Sequence, residues 1–211
     1  MIENPALMIE NSIRQAPNSK GQQTQLRIVE TAARLIHQQG YHNTGLQQIL
    51  SEAEVTKGSF YFHFKDKKSL ALAVIDYFKG FFANNLAVEL DDPSLSAKEK
   101  LLSFHHRVCQ AFSSPVGMAG CPLGNLTLEL AGIDKDLQSK LDVGFEQLVL
   151  MFERVIQSGQ ASGEFSAKQP AKQLAEFLVS SWEGAVLRMK AAQSLQPLEN
   201  WFGSINALLA A

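Results

Sequence analysis

The 211-residue sequence predicts an all-α protein, on three observations. Apolar residues recur at three- and four-residue intervals along almost the whole chain, which is the spacing of one helical face. Strand-type alternation is absent. The breaks fall at short polar or Gly/Pro-containing strings, "DDPS", "SSPVGMAG", "SGQASGE" and "SLQP".

Each element follows from its own pattern. Leu26, Val29, Ala33 and Ile36 mark a first helix, which Gly40 closes. Leu46, Ile49, Leu50 and Ala53 give a short second helix, and a third runs from a Thr56 cap to about Phe62. Leu70, Val74, Tyr77, Phe78 and Phe81 mark a longer helix over 66 to 83, which Asp66 caps. A helix over 97 to 112 carries Val108 and Cys109 on its apolar face. Leu137, Leu141, Phe145, Leu148, Phe152 and Val155 step by four or three. Leu174, Phe177, Leu178, Ser181, Trp182, Ala185 and Met189 set a helix over about 170 to 191, and a last one spans about 198 to 210.

Composition removes several classes of function. No run of about 18 apolar residues exists, so no membrane span is expected. The leading string "MIENPALMIE" has no basic segment of the signal-peptide kind, and Met8 is an alternative start. Two cysteines do not make a disulfide framework, which points to a reducing cytoplasm. Charge is uneven along the chain. Residues 20 to 70 hold seven Lys/Arg against four Asp/Glu, a net of +3, whereas residues 71 to 211 hold eleven against fifteen, a net of −4. A basic module on an acidic body suggests that one end meets a polyanion.

The punctuation of the basic module is specific. In "GYHNTGLQQILSEAEVTKGSFYFHFKDKKSL", Thr44 is placed to cap the second helix, with Gln47 completing a capping box. Two short helices joined by so tight a turn form a helix-turn-helix, whose second helix fits the DNA major groove. Phe60, Phe62 and Phe64 alternate with Tyr61 and His63, so one set can pack while the other offers polar groups beside Lys57. Gly58 and Ser59 leave the first turn of that helix small enough to approach bases and phosphates.

These residues resemble the DNA-binding domain of the TetR family of bacterial regulators, over about residues 24 to 78. The resemblance implies that Thr44, Gln47, Lys57, Gly58, Ser59, Tyr61, His63 and Lys67 meet DNA. Gln47 and Lys57 suit base edges, and Thr44, Ser59, Tyr61, His63 and Lys67 suit phosphates. Two positions depart from the pattern: Glu54 stands where the turn usually has glycine, and Gly45 follows Thr44. A left-handed Glu54 would cost about 1 kcal/mol relative to glycine. The family also implies a homodimer on a palindromic operator. Leu174, Leu178, Trp182, Ala185, Met189, Trp201, Ile205 and Leu208 form the apolar stripe expected at that interface. The expected organisation is a disordered tail over 1–21, a helix-turn-helix domain over 22–68 and a ligand-sensing and dimerisation domain over 69–211.

The second distinctive string is "GMAGCPLGNLTLELAGIDKDL". Proline is favoured at the first helical position, so Cys121 should stand at the N-cap, where the helix dipole favours a thiolate. Lys190, in "WEGAVLRMK", would stabilise that thiolate further if the fold brings it near. With "SSWEGAVLRMK" downstream, "GCPLGNLTLELA" resembles the NemR-like, electrophile-responsive branch of the family. That branch implies a repressor released from DNA when an electrophile or oxidant modifies the cysteine. Two further readings stay open. A non-covalent small molecule could fill a site among Phe81, Phe82, Phe104, Phe112, Phe145 and Trp182, with Cys121 structural, or Cys121 could serve an enzyme together with His105 or His106. Adjacent helical residues point about 100° apart, so those two histidines cannot share a centre. His105 and Cys109 lie at i and i+4, and two groups do not make a metal site. No catalytic spacing and no cofactor motif is present, so neither an enzyme nor a bound cofactor or metal is expected.

Overall fold

A computed structural model of the chain describes residues 19 to 114 and 117 to 210. The described residues form nine α-helices: α1 (Lys20–Gln39), α2 (Leu46–Glu52), α3 (Lys57–His63), α4 (Lys67–Phe81), α5 (Ala97–Phe112), α6 (Pro122–Leu130), α7 (Lys135–Ser162), α8 (Ala171–Ala192) and α9 (Gln196–Leu209). Beyond α4 the chain makes a π-type turn over Phe82–Leu86 and a 3-10 turn over Val88–Asp91. No described helix is long and apolar enough to cross a membrane.

The described residues divide into two compact units, those up to 82 with 122–142, and those of 83–121 with the residues from 143 on. This differs from the boundary expected at residue 68: α4 belongs wholly to the first unit, and so do α6 and the start of α7. The tail expected over 1–21 lies outside the described residues up to residue 18, and Ser19 opens α1 with a capping box to Gln22.

Local chemistry sets the ends of the first unit's helices. Gly40 ends α1 at φ +89°, and its N–H donates to the Ile36 carbonyl. Thr56 caps α3 by accepting from the Ser59 N–H, and Asp66 caps α4 by accepting from the Ser69 N–H. Glu54 adopts the left-handed conformation at φ 53° that the usual glycine would favour. Thr44 does not cap α2; that position is Gly45, without a side-chain cap. Its hydroxyl turns inward instead and donates to the Gly40 carbonyl at 2.7 Å. Packing in α3 follows the helical step rather than alternation. Residues two apart on a helix point about 200° apart, so Phe60 and Phe64 stack inward, 5.6 Å between rings, while Phe62 is left outside. α2, α3 and α4 all pack on α1, and α6 packs on α4.

The second unit encloses an aromatic cluster. The Phe104 ring meets Phe152 edge-on at 4.9 Å and Trp182 at 6.2 Å, and Phe112 lies 6.5 Å from Trp182. α9 packs along α8, and the Trp201 indole N–H donates to the Ser181 hydroxyl at 2.9 Å. The break expected at "SGQASGE" falls within that string, at its fifth and sixth residues. The helix continues to Ser162 and stops at Gly163, φ +80°, and the Phe165 ring packs so closely on Gly159 that a Cβ there would lie 2.2 Å from it.

Candidate DNA-reading head and thiol site

The helix-turn-helix residues separate by exposure. Gln47, Lys57, Gly58 and Tyr61 are exposed on α2 and α3, whereas Ser59 and His63 are half-buried. Lys57 lies beside the Tyr61 ring, its Nζ 6.0 Å from the ring centroid. Lys57 and Lys65 are exposed and carry no ion pair among the described residues, which leaves both charges at the surface. One expected DNA contact, Thr44, is corrected by its surroundings, and another, Lys67, has a partner inside the fold. Thr44 is fully buried and its hydroxyl is engaged, so it cannot reach a phosphate. Lys67 is half-buried, donates to the Tyr41 carbonyl at 2.6 Å and lies 4.0 Å from the Tyr41 ring centroid. Burial pushes its pKa down, against the Glu129 carboxylate, which favours the charged form. Lys67 therefore secures the turn between α1 and α2. Phe62, missed as a surface residue, is 83% exposed on the same helix as Tyr61. Its signal was available in the helical step, which separates it from Phe60 and Phe64.

Several basic residues of the module are already paired. Arg34 binds Glu52 at 2.5 Å, and Lys68 binds Asp134 at 2.7 Å and Asp136 at 2.6 Å. The two aspartates hold the Lys68 pKa above its ordinary value. The exposed positive charge of the head is smaller than the count of basic residues suggests.

Pro122 is the first residue of α6, so Cys121 directly precedes the helix as its flanking residues predict. The cysteine is buried at 6% exposure. Its partner was not foreseen. The thiol is hydrogen-bonded to the Glu183 carboxyl on α8, and burial pushes the Glu183 pKa up, only partly opposed by that bond. Glu183 Oε1 is buried with no hydrogen-bond partner among the described residues. Lys190, seven residues on, is exposed in the last turn of α8, about 10 Å further along the axis.

The expected ligand residues are brought together in part. Phe104, Phe112 and Trp182 share one cluster, to which Phe152 is added. Phe145 is half-buried in the same unit, and Phe81 and Phe82 belong to the other unit. His105 is buried, stacked at 4.1 Å on Phe202, with the Cys109 sulfur 3.6 Å from its Nε2. Burial raises the Cys109 thiol pKa, as does the nearby Glu199 charge, which keeps it protonated and unreactive.

The expected dimer stripe is corrected as well. Leu174, Leu178, Trp182, Ala185, Met189, Trp201 and Ile205 are all buried inside one protomer, and only Leu208 stays exposed. A side chain with no surface left cannot bury more against a partner. The apolar surface that does remain on α8 is Phe177 and Leu187, 54% and 58% exposed.

Known proteins match this arrangement over nearly its full length. The tetR family of bacterial regulatory proteins matches residues 28–74, and a tetracyclin repressor-like C-terminal domain matches residues 97–204. The HTH-type transcriptional repressor DhaR of Mycobacterium sp. (strain GP1) is 30% identical over 174 residues, 82% of this chain and 86% of its own. The repressor NemR of Escherichia coli (strain K12) is 25% identical over 187 residues, 89% of this chain and 94% of its own. The crystal structure of reduced E. coli NemR superposes with a TM-score of 0.83 over 89% of this chain and 97% of that one, at 25% identity. A TetR regulatory protein from Rhodobacter sphaeroides gives 0.81 over 88% and 98%, at 28% identity.

Proposed function

Because the chain belongs to the tetR family of bacterial regulatory proteins, and is thus a DNA-binding transcriptional regulator, we propose that it is a repressor whose release from its operator is triggered at Cys121. One observation carries this reading: Cys121 is the last residue of the second unit's first segment, and Pro122 is both the first residue of α6 and the first returned to the DNA-reading unit. A change at the thiol is therefore a change at the root of a helix in the reading unit. In the covalent form of the reading, Glu183 accepts the thiol proton and the sulfur adds to an electrophilic carbon, after which the proton returns to the adduct. A carboxyl whose pKa is raised lies closer to that of a thiol, which makes the transfer less uphill.

The aromatic cluster supports a second form, in which an apolar small molecule bound among Phe104, Phe112, Phe152 and Trp182 shifts the same helix without a covalent bond. In both forms the repressor works as a two-fold dimer on a palindromic site, because one short recognition helix makes too few contacts. Phe177, Leu187 and Leu208 supply the exposed apolar surface for the dimer, and Gln47, Lys57, Tyr61 and Phe62 face the DNA.

Treating the wild type and Cys121→Ser with N-ethylmaleimide, and following dissociation from a bound DNA duplex, separates the two forms. Release of the wild type alone is expected. Equal release of both would eliminate the covalent form.

A further inference from the structure

We infer that Glu129 is a positioning residue for DNA binding: a carboxylate on α6 that holds the turn between α1 and α2 in the conformation the reading head needs. The Tyr41 N–H donates to its Oε1 at 3.0 Å and the His42 N–H to its Oε2 at 3.1 Å, across 88 and 87 positions of sequence. Each oxygen takes one amide, and hydrogen bonds to a charged acceptor are stronger than neutral ones. Gly40 leaves room for this approach. A Cβ at that position would stand 3.0 Å from Oε1 and 3.2 Å from Oε2, closer than side chains normally pack. The φ of +89° ends α1, and the missing side chain admits the carboxylate.

The same turn is tied from two other directions. Lys67 of α4 holds the Tyr41 carbonyl at 2.6 Å, and the Thr44 hydroxyl holds the Gly40 carbonyl at 2.7 Å. α4 and α6 thus converge on five residues of backbone, 40 to 44, all within one compact unit. Gln47 follows three residues after Thr44, in the first turn of α2, and α3 follows through the left-handed turn at Glu54. If the turn loosens, both helices of the reading head lose their register against the groove. Thr44 and Glu129 therefore act on DNA through the turn rather than by touching it, and the inference rests only on the DNA-binding activity.

The test uses the full-length protein and a palindromic duplex that the wild type selects from a randomised library. Anisotropy titrations at one salt concentration compare the wild type with Glu129→Ala and Glu129→Gln. The alanine variant is expected to bind about tenfold or more weakly, equivalent to about 1.4 kcal/mol. The glutamine variant should fall between, because its carbonyl still accepts one amide and its volume is kept. Hydrogen exchange at Tyr41 and His42 should quicken in Glu129→Ala while amides in α8 keep their wild-type protection. Operator affinity within about twofold of wild type overturns the inference. So does unchanged exchange at Tyr41 and His42, or faster exchange throughout the molecule, which would mark a general loss of stability.

Discussion

In the DNA-reading unit, α3 turns Tyr61 and Phe62 outward, 50% and 83% exposed, whereas in the regulatory unit Phe104, Phe112, Phe152 and Trp182 are all 5% exposed or less. The polar groups show the opposite contrast. The reading unit keeps its charges at or near the surface in pairs such as Arg34–Glu52 and Lys68–Asp134, whereas the regulatory unit holds the Glu183 carboxyl largely buried against a thiol. An aromatic side chain left in water on a recognition helix is surface awaiting a partner. A carboxyl taken out of water is a group whose ionisation the fold resists. The first unit therefore offers surface to something large and charged, and the second keeps its distinctive groups inside.

The sharpest way to break this contrast is to truncate neighbouring aromatics on α3. Phe60→Ala should cost about 3–5 kcal/mol of unfolding free energy, as for other buried phenylalanines. Phe62→Ala should change stability by about 0.5 kcal/mol or less while weakening DNA binding. Urea unfolding at fixed protein concentration and anisotropy on one duplex would check the pair. Equal destabilisation by both substitutions would mean that Phe62 is part of the core. A smaller effect is expected at the turn before α3. Glu54→Gly relieves a left-handed non-glycine residue and should stabilise the protein by about 1 kcal/mol, seen as a higher unfolding midpoint.

The smallest effect concerns the buried carboxyl. Burial raises the Glu183 pKa above its ordinary value, so between the two values the folded state binds more protons than the unfolded state. Its contribution is present at acid pH and is lost as pH rises through the folded value. Glu183→Gln removes that loss. The variant should gain stability relative to wild type on going from pH about 5 to pH about 7.5, measured as urea midpoints. Parallel pH profiles for the two proteins would show that Glu183 ionises as it would in water.

The reading unit was the more legible of the two because its signals are local. Thr56 and Asp66 cap their helices from within one turn, and Gly40 and Glu54 adopt the conformations that their positions in the pattern demand. Aromatic alternation over α3 groups Phe62 with Phe60 and Phe64, and the helical step turns it outward instead. Thr44 departs from the capping pattern for another reason: a backbone carbonyl in the turn takes its hydroxyl. In the regulatory unit the helices were legible and their faces were not. The stripe from Leu174 to Met189 has the periodicity of an interface, yet periodicity alone does not distinguish a protomer's own core from a partner's surface.

By itself the sequence determined the helical architecture, the caps at Thr56 and Asp66, the strained turn and the position of Cys121 before a helix, because each depends on residues within about four positions of one another. Only the tertiary structure decided that Glu183 faces the thiol from 62 residues away, that Lys67 holds a carbonyl, and that Glu129 grips a turn 87 and 88 residues upstream. The reason is physical. Helical spacing is set by the backbone and can be read locally, but a buried polar group takes whichever partner the packing of distant segments brings within about 3 Å.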